Sequence, residues 1–204
     1  MIRFDDLFHA SNFDQAVKNL AADFREAHGL PKIHQLGLVV KDVEAAAGQL
    51  EAQGVGPFFI AAGAPVLWVE RGAQKEVKGK MGLAYYQGYE LELLEPLAGS
   101  DFYTQYLDPE GGIVIQHLGF LVDNVDKWAD QLADQSETDL YVRGRLKAFP
   151  SKTDFAYMEP LKKSGLIMEF ICWRVLGLNL GPPKFIFKTV GRLEKMTGKR
   201  SISL

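Results

Sequence analysis

Four polar side chains set inside apolar runs are the residues best placed to do chemistry in this chain: Gln35, Glu92, His117 and Glu169. Gln35 and His117 open two copies of one segment. Gln35-Leu36-Gly37-Leu38-Val39-Val40-Lys41-Asp42-Val43-Glu44 returns as His117-Leu118-Gly119-Phe120-Leu121-Val122-Asp123-Asn124-Val125-Asp126. Glu92 lies within Leu91-Glu92-Leu93-Leu94 and Glu169 within Ile167-Met168-Glu169-Phe170. An ionised carboxylate among such neighbours is costly to bury unless it is paired or bound to a metal. Glu92 follows Gln35 by 57 residues and Glu169 follows His117 by 52, so each copy carries its carboxylate at a similar remove. Singly, each residue reads as part of a solvated sheet face or as a satisfied core histidine. Together, at matching places in a duplicated unit, they read as a site. An oxygen-rich set with one imidazole suits a divalent ion such as Zn²⁺, Co²⁺, Ni²⁺, Mn²⁺ or Mg²⁺, and the residue types do not choose among these.

The register of the repeat decides between two neighbours. His34 is the more obvious metal ligand, but successive strand residues point to opposite faces. Aligning Gly37 with Gly119 sets Gln35 against His117 and His34 against Gln116. Gln35 is therefore the preferred first ligand, with His34 as the fallback. Glu90 and Glu95 are expected at a strand edge and a turn, in solvent.

Strands and helices must hold these groups in place. Each copy predicts a strand running into a helix: strand 33–40 into helix 43–53 with Asp42 as N-cap, and strand 113–122 into helix 125–135 capped by Asn124 or Asp123. Further extended segments are expected at 58–61, 66–69 and 81–94, and at 139–147, 154–158 and 166–172, with a polar loop at 75–79. Residues 12–28 carry the stripe Phe13, Val17, Leu20, Ala21 and Phe24 of one helix, stopped by Gly29 and Pro31. The expected organisation is an N-terminal helical appendage over 1–31, a paired-module domain over 32–173 (modules 32–97 and 113–173), and a basic extension over 174–204. In the last, Phe185 to Met196 predicts an amphipathic helix with Lys184, Lys188, Arg192 and Lys195 on its polar face. That face is either solvated or directed at a phosphate-bearing or anionic partner.

Bulk properties exclude several classes. A formal net charge of −3 argues against nucleic acid as the main partner. No apolar run reaches the ~18–20 residues needed to span a bilayer, and no signal-peptide core follows the acidic start, so a cytoplasmic location is expected. The single cysteine, Cys172, sits among Phe170, Ile171 and Trp173 and reads as a buried core thiol.

The stretches HQLGLVVKDVEAA, YELELLEPL, IQHLGFLVDNVDKWADQL and GLIMEFI, in this order and spacing, resemble the vicinal oxygen chelate superfamily over residues 32–173. That superfamily includes glyoxalase I, methylmalonyl-CoA epimerase, extradiol dioxygenases and bleomycin-resistance proteins. The resemblance implies an α+β fold of two tandem βαβββ modules whose strands form a cupped mixed sheet around a divalent metal. Gln35, Glu92, His117 and Glu169 would be the ligands. It further implies proton transfer next to a carbonyl through a metal-stabilised enolate, with Glu169 or Glu92 as the base. The protein would then be an isomerase, epimerase or lyase acting on a small oxygenated molecule or thioester, and a homodimer. Val39 and Pro96 stand where glyoxalase I has an arginine and an asparagine, which disfavours glutathione. Glu76 is the nearest candidate for the epimerases' extra base. The alternatives are a non-catalytic small-molecule binder, with Trp68, Tyr85, Tyr86 and Tyr157 lining its pocket, or a dioxygenase, which Gln35 in first place disfavours.

Overall fold

Both repeat copies fold as strand, helix and further strands, and their first strands pair with each other at the centre of one mixed sheet. The computed structural model describes residues 1–136, 138–148, 150–179, 189, 191, 202 and 203. The chain begins with β1 (Ile2–Arg3), α1 (Phe4–Phe8), α2 (Phe13–Asn19) and α3 (Ala22–Ala27). The single helix expected over 12–28 is therefore broken. Ala21 takes a left-handed φ of 46°, and the Arg25 guanidinium reaches back to the carbonyls of Lys18 and Leu20. Those carbonyls lose their partners at the end of α2, and the fork of donors on arginine replaces them. Phe4, Phe13 and Val17 bury themselves in the main core, so this segment packs onto the sheet.

The first module contains β2 (Gln35–Val39), α4 (Val43–Ala52), β3 (Phe59–Gly63), β4 (Leu67–Glu70), β5 (Ala73–Gln74), β6 (Lys78–Tyr86) and β7 (Tyr89–Ala98). The second contains β8 (Val114–Leu121), α5 (Val125–Gln135), β9 (Leu140–Ala148), β10 (Ser151–Met158) and β11 (Ile167–Val175). Asp42 caps α4 by accepting from Ala45 N–H, and Asn124 caps α5 by accepting from Asp126 and Lys127 N–H. Glu95, expected in solvent, accepts from Val43 N–H at 2.9 Å and adds its charge to the same end of α4.

The strand order is β3-β6-β7-β2-β8-β11-β10-β9, with β2 parallel to β7, β8 parallel to β11, and β2 antiparallel to β8. The extended run expected near 66–69 exists, but it is not a wall strand of its own module. β4 pairs antiparallel with β9, Leu67 opposite Arg145, and continues into β5. β3 and β9 are the outer wall strands of the two modules, so residues 64–66 carry the chain from one rim to the other and close the cup. Tail strands β12 (Leu178–Asn179) and β13 (Ile202–Ser203) pair with β11 and β3. The amphipathic helix expected over 185–196 falls, Thr189 and Gly191 aside, outside the described residues.

Alternation divides the burial between two faces. Leu36, Leu38, Leu91, Leu93, Leu118, Met168 and Phe170 join α4, α5 and the N-terminal segment in the main core, which also holds Cys172. A second, aromatic-rich core occupies part of the cup: Trp68 from the crossing hairpin packs against Phe102, Phe155 and Tyr157. No helix among the described residues is long and apolar enough to cross a membrane.

Candidate metal centre

Strand register brings the candidate residues onto the concave face. Gln35 lies opposite Glu90 on one side and Gly119 on the other; Gly37 lies opposite Glu92 and His117; Glu169 lies opposite Gly119. The two repeat glycines explain how bulky polar groups fit at the seam. A Cβ on Gly37 would fall 1.8–2.2 Å from the His117 ring, and one on Gly119 would fall 2.8 Å from Gln35 Oε1. Each copy's glycine makes room for the other copy's polar residue.

Glu92, His117 and Glu169 converge. His117 Nε2 stands 3.5 Å from Glu92 Oε2 and 3.2 Å from Glu169 Oε2, and one ligand atom from each residue lies within 4.8 Å of the other two. His117 is fully buried, while Glu92, Glu169 and Gln35 keep 7%, 4% and 5% of their surface. None of the atoms Gln35 Oε1, Glu92 Oε2, His117 Nε2 and Glu169 Oε2 has a hydrogen-bond partner. Four buried polar atoms without partners are expensive unless something else engages them.

The imidazole is held in one tautomer. The register shifts where β2 meets β8, from Gly37 opposite His117 to Leu38 opposite Ile115, so Gln116 is a bulge residue with no β2 partner. This lets adjacent side chains meet: Gln116 Oε1 sits 3.0 Å from His117 Nδ1, while Gln116 Nε2 donates to Phe102 O at 2.9 Å. With its amide nitrogen committed, Gln116 presents an acceptor to His117. Nδ1–H then donates to Gln116, and Nε2 is the nitrogen turned toward the carboxylates. Regular alternation would have separated these two side chains, so the sequence carried no signal for Gln116.

Glu90 is the residue that sequence reasoning misplaced. It is buried, not solvated. Gln35 Nε2 donates to Glu90 Oε1 at 2.8 Å, and the Tyr85 hydroxyl donates to Glu90 Oε2. His34 Nε2 lies 3.9 Å from the same carboxylate, so His34 accompanies Glu90 and is not part of the Glu92–His117–Glu169 group. A period of two was the available signal: if Glu92 faces the cup, so does Glu90.

Electrostatics follow from this crowding. Burial pushes the Glu90 carboxyl up to about 7, with Glu92 and Glu169 adding to the rise against the donors Tyr85 and Gln35. Burial likewise raises Glu169, and nearby Glu92 adds to it. Burial alone would lower His117, but Glu169 and Glu92 outweigh it and bring the imidazole to about 9. Three buried carboxylates against one imidazole leave an excess of negative charge that a divalent cation would offset. Buried carboxylate oxygens, an imidazole nitrogen turned toward them and this charge all fit such an ion, which would take the place of the proton on Nε2.

Gln35, Glu92 and Glu169 line a cavity of ≈ 250 Å³. Its lining is mostly apolar, with Ala61, Leu83 and Leu94 from the first module, Phe155 and Ile171 from the second, and Trp68 from the crossing hairpin. Of the aromatic residues expected there, Trp68 and Tyr157 line it. Tyr85 is engaged with Glu90, and Tyr86 packs outside against Phe8 and Phe13. Glu76 is exposed and does not line the cavity, so it is not placed to act as the extra base.

Solved structures similar to this chain include a variant of Streptomyces coelicolor methylmalonyl-CoA epimerase in complex with 2-nitronate-propionyl-CoA (18% identity, TM-score 0.46, covering 70% of this chain and 96% of that one). A variant of 4-hydroxymandelate synthase from the same organism is also similar (14% identity, TM-score 0.49, covering 82% and 56%). So is a hypothetical protein from Bacillus halodurans C-125 (14% identity, TM-score 0.43, covering 69% and 92%). No curated protein matches the chain. The family model of the glyoxalase/bleomycin resistance protein/dioxygenase superfamily matches residues 34–139, a segment holding Gln35, Glu92 and His117. Glu169 lies beyond the matched segment, and the β8–β11 pairing brings it back beside His117. With just over half of its 204 residues matched, this chain belongs to the glyoxalase/bleomycin resistance protein/dioxygenase superfamily.

Proposed function

We propose that the protein is a divalent-metal-dependent enzyme that moves a proton next to a carbonyl of a small oxygenated substrate, as an isomerase, epimerase or lyase. The observation that carries this reading is the set of four buried atoms without hydrogen-bond partners, Gln35 Oε1, Glu92 Oε2, His117 Nε2 and Glu169 Oε2. These residues would hold the ion, which when bound supplies Lewis acidity toward two adjacent substrate oxygens. The protein's own groups do the rest. Glu169, once its carboxylate loosens from the ion, takes the proton from the substrate carbon and the same carboxyl returns it, in surroundings where burial favours the protonated form. Glu92, on the other module's β7, is the alternative base. The apolar walls exclude water and seat the body of the substrate, and a ≈ 250 Å³ chamber favours a compact one.

Metal analysis of protein purified without chelator is the first test, followed by proton–deuterium exchange of small 2-oxo compounds and short acyl thioesters in D₂O. One bound divalent ion per chain is expected, with exchange that Glu169→Gln abolishes. Absence of a bound ion, together with unchanged stability of Glu169→Gln, would sink the proposal. The apolar lining supports a second reading, a non-catalytic binder. Undiminished ligand binding by ion-free protein, with no exchange, would favour it.

A further inference from the structure

A glutamine is an ambiguous ligand, because its two ends have similar shapes and opposite hydrogen-bonding character. Only the carbonyl oxygen can hold a cation. Something must therefore keep the NH₂ end turned away, and one contact does so. Gln35 Nε2 lies 2.8 Å from Glu90 Oε1. Rotating the amide by half a turn would break that bond and bring an acceptor oxygen, in place of a donor, against Glu90 Oε1. Glu90 itself is anchored through its other oxygen, which accepts from Tyr85. The result is a chain of directed bonds, Tyr85 to Glu90 to Gln35, ending with Gln35 Oε1 buried and without a partner over Gly119. The second module meets the same need by other means: Gln116 on the β8 bulge fixes which nitrogen of His117 carries the proton.

We infer that Glu90 is a positioning residue of the metal centre, holding the Gln35 amide so that its oxygen faces the ion while Glu90 itself binds none. This rests on the metal-dependent reading above and extends it to a residue outside the proposed ligand set. Groups bonded to metal ligands in this way commonly alter affinity by about 10–100-fold when removed.

The test measures Co²⁺ affinity by competition with a chromophoric chelator, together with the visible absorption of the Co²⁺ protein, in wild type, Glu90→Leu, Glu90→Gln, Gln35→Ala and the Glu90→Leu/Gln35→Ala double variant. Glu90→Leu is expected to weaken Co²⁺ about 10–100-fold and to change the absorption bands. Glu90→Gln keeps an acceptor for Gln35 and should stay within about threefold of wild type. In the Gln35→Ala background Glu90→Leu should cost nothing further, because its effect passes through Gln35. An equal loss in both backgrounds overturns the inference, since Glu90 would then act on the ion directly. Wild-type affinity in Glu90→Leu overturns it as well, while leaving the metal centre standing. Failure of the wild-type protein to bind Co²⁺ overturns both. If Glu90→Leu does not fold, Tyr85→Phe runs the same cycle: a loss seen only when Gln35 is present supports the inference, and an equal loss in both backgrounds, or none, overturns it.

Discussion

The two modules share a backbone plan and differ in how they use it. At the seam the pattern is reciprocal: Gln35 rests over Gly119 and His117 over Gly37. Away from the seam the symmetry is not kept. The first module places two buried carboxylates on β7, Glu90 and Glu92, whereas the second has Glu169 on β11 and Ile167 two residues before it. Orientation of the candidate ligand comes from a neighbouring strand in the first module and from a bulge in the same strand in the second. The cup walls diverge too, small and aliphatic around Ala61 and Leu83, aromatic around Phe155 and Tyr157. A duplicated scaffold thus supplies the positions, and each half evolves its own way of satisfying the polar groups placed there.

The glycines give the strongest way to break this comparison. Gly37→Ala drives a methyl into a fully buried ring, and the imidazole must leave its place. We expect a loss of about 3 kcal/mol in urea denaturation, since overpacking costs about 1–3 kcal/mol and this clash is severe. Metal binding should disappear with it. Gly119→Ala meets Gln35 Oε1, Gln35 Cβ and Ile171 Cδ1 at 2.8–2.9 Å, contacts that small side-chain shifts relieve in part. About 1–2 kcal/mol is expected there. Equal losses at both positions would contradict the asymmetry described above.

The second-largest effect should come from the bulge. Gln116→Leu removes the acceptor from His117 Nδ1 and the donor from Phe102 O. Metal affinity should fall by about 10–100-fold, and stability by about 1–2 kcal/mol, because the buried His117 Nδ1–H loses its acceptor. Chelator competition and urea denaturation read the two separately. Unchanged affinity would mean that the tautomer is fixed by something other than Gln116.

These residues also show what a sequence can and cannot disclose. The seam was legible because Gln35-x-Gly37 and His117-x-Gly119 repeat a local pattern, and strand periodicity turned that pattern into a shared face. Asp42 and Asn124 were legible as caps for the same reason: the signal and the structure lie within a few residues. The bulge at Gln116 was not legible, since a register shift depends on the partner strand. Nor was the β4–β9 pairing, where a run with ordinary strand character joins the far rim of the cup. Glu90 fell between these cases. Its spacing from Glu92 implied a common face, but its burial depended on Gln35 and Tyr85 arriving from β2 and β6 to satisfy it. The break at Ala21 in the N-terminal helix likewise depends on Arg25 folding back onto carbonyls that a regular helix would have engaged.

The smallest predicted effect contrasts two matching positions with opposite charge. Asp154 and Lys80 occupy corresponding places, three pairs from the strand partners of Glu169 and Glu92 respectively. Asp154 is buried and contacts Arg145 at 2.6 Å, Lys152 at 3.0 Å and Arg174 at 3.1 Å. Burial would raise its pKa, but Arg145 and Lys152 outweigh that and hold it below the ordinary value. A depressed carboxyl contributes stability above its unfolded pKa of about 3.9, and that contribution is lost as pH falls through the lower folded value. Lys80 lies 3.8 Å from Glu95 and 3.4 Å from Glu44, and Glu95 foremost raises its pKa. Its contribution is present below an unfolded pKa of about 10.4 and is lost as pH rises through the higher folded value. Asp154→Asn should therefore cost about 1–2 kcal/mol at neutral pH and flatten the acid limb of a stability profile. Lys80→Met should cost less than about 1 kcal/mol, because the pair is partly exposed, and flatten only the alkaline limb. Urea midpoints across the pH range would show both. If the two variants altered the same limb, the opposite electrostatic use of these matching positions would be refuted.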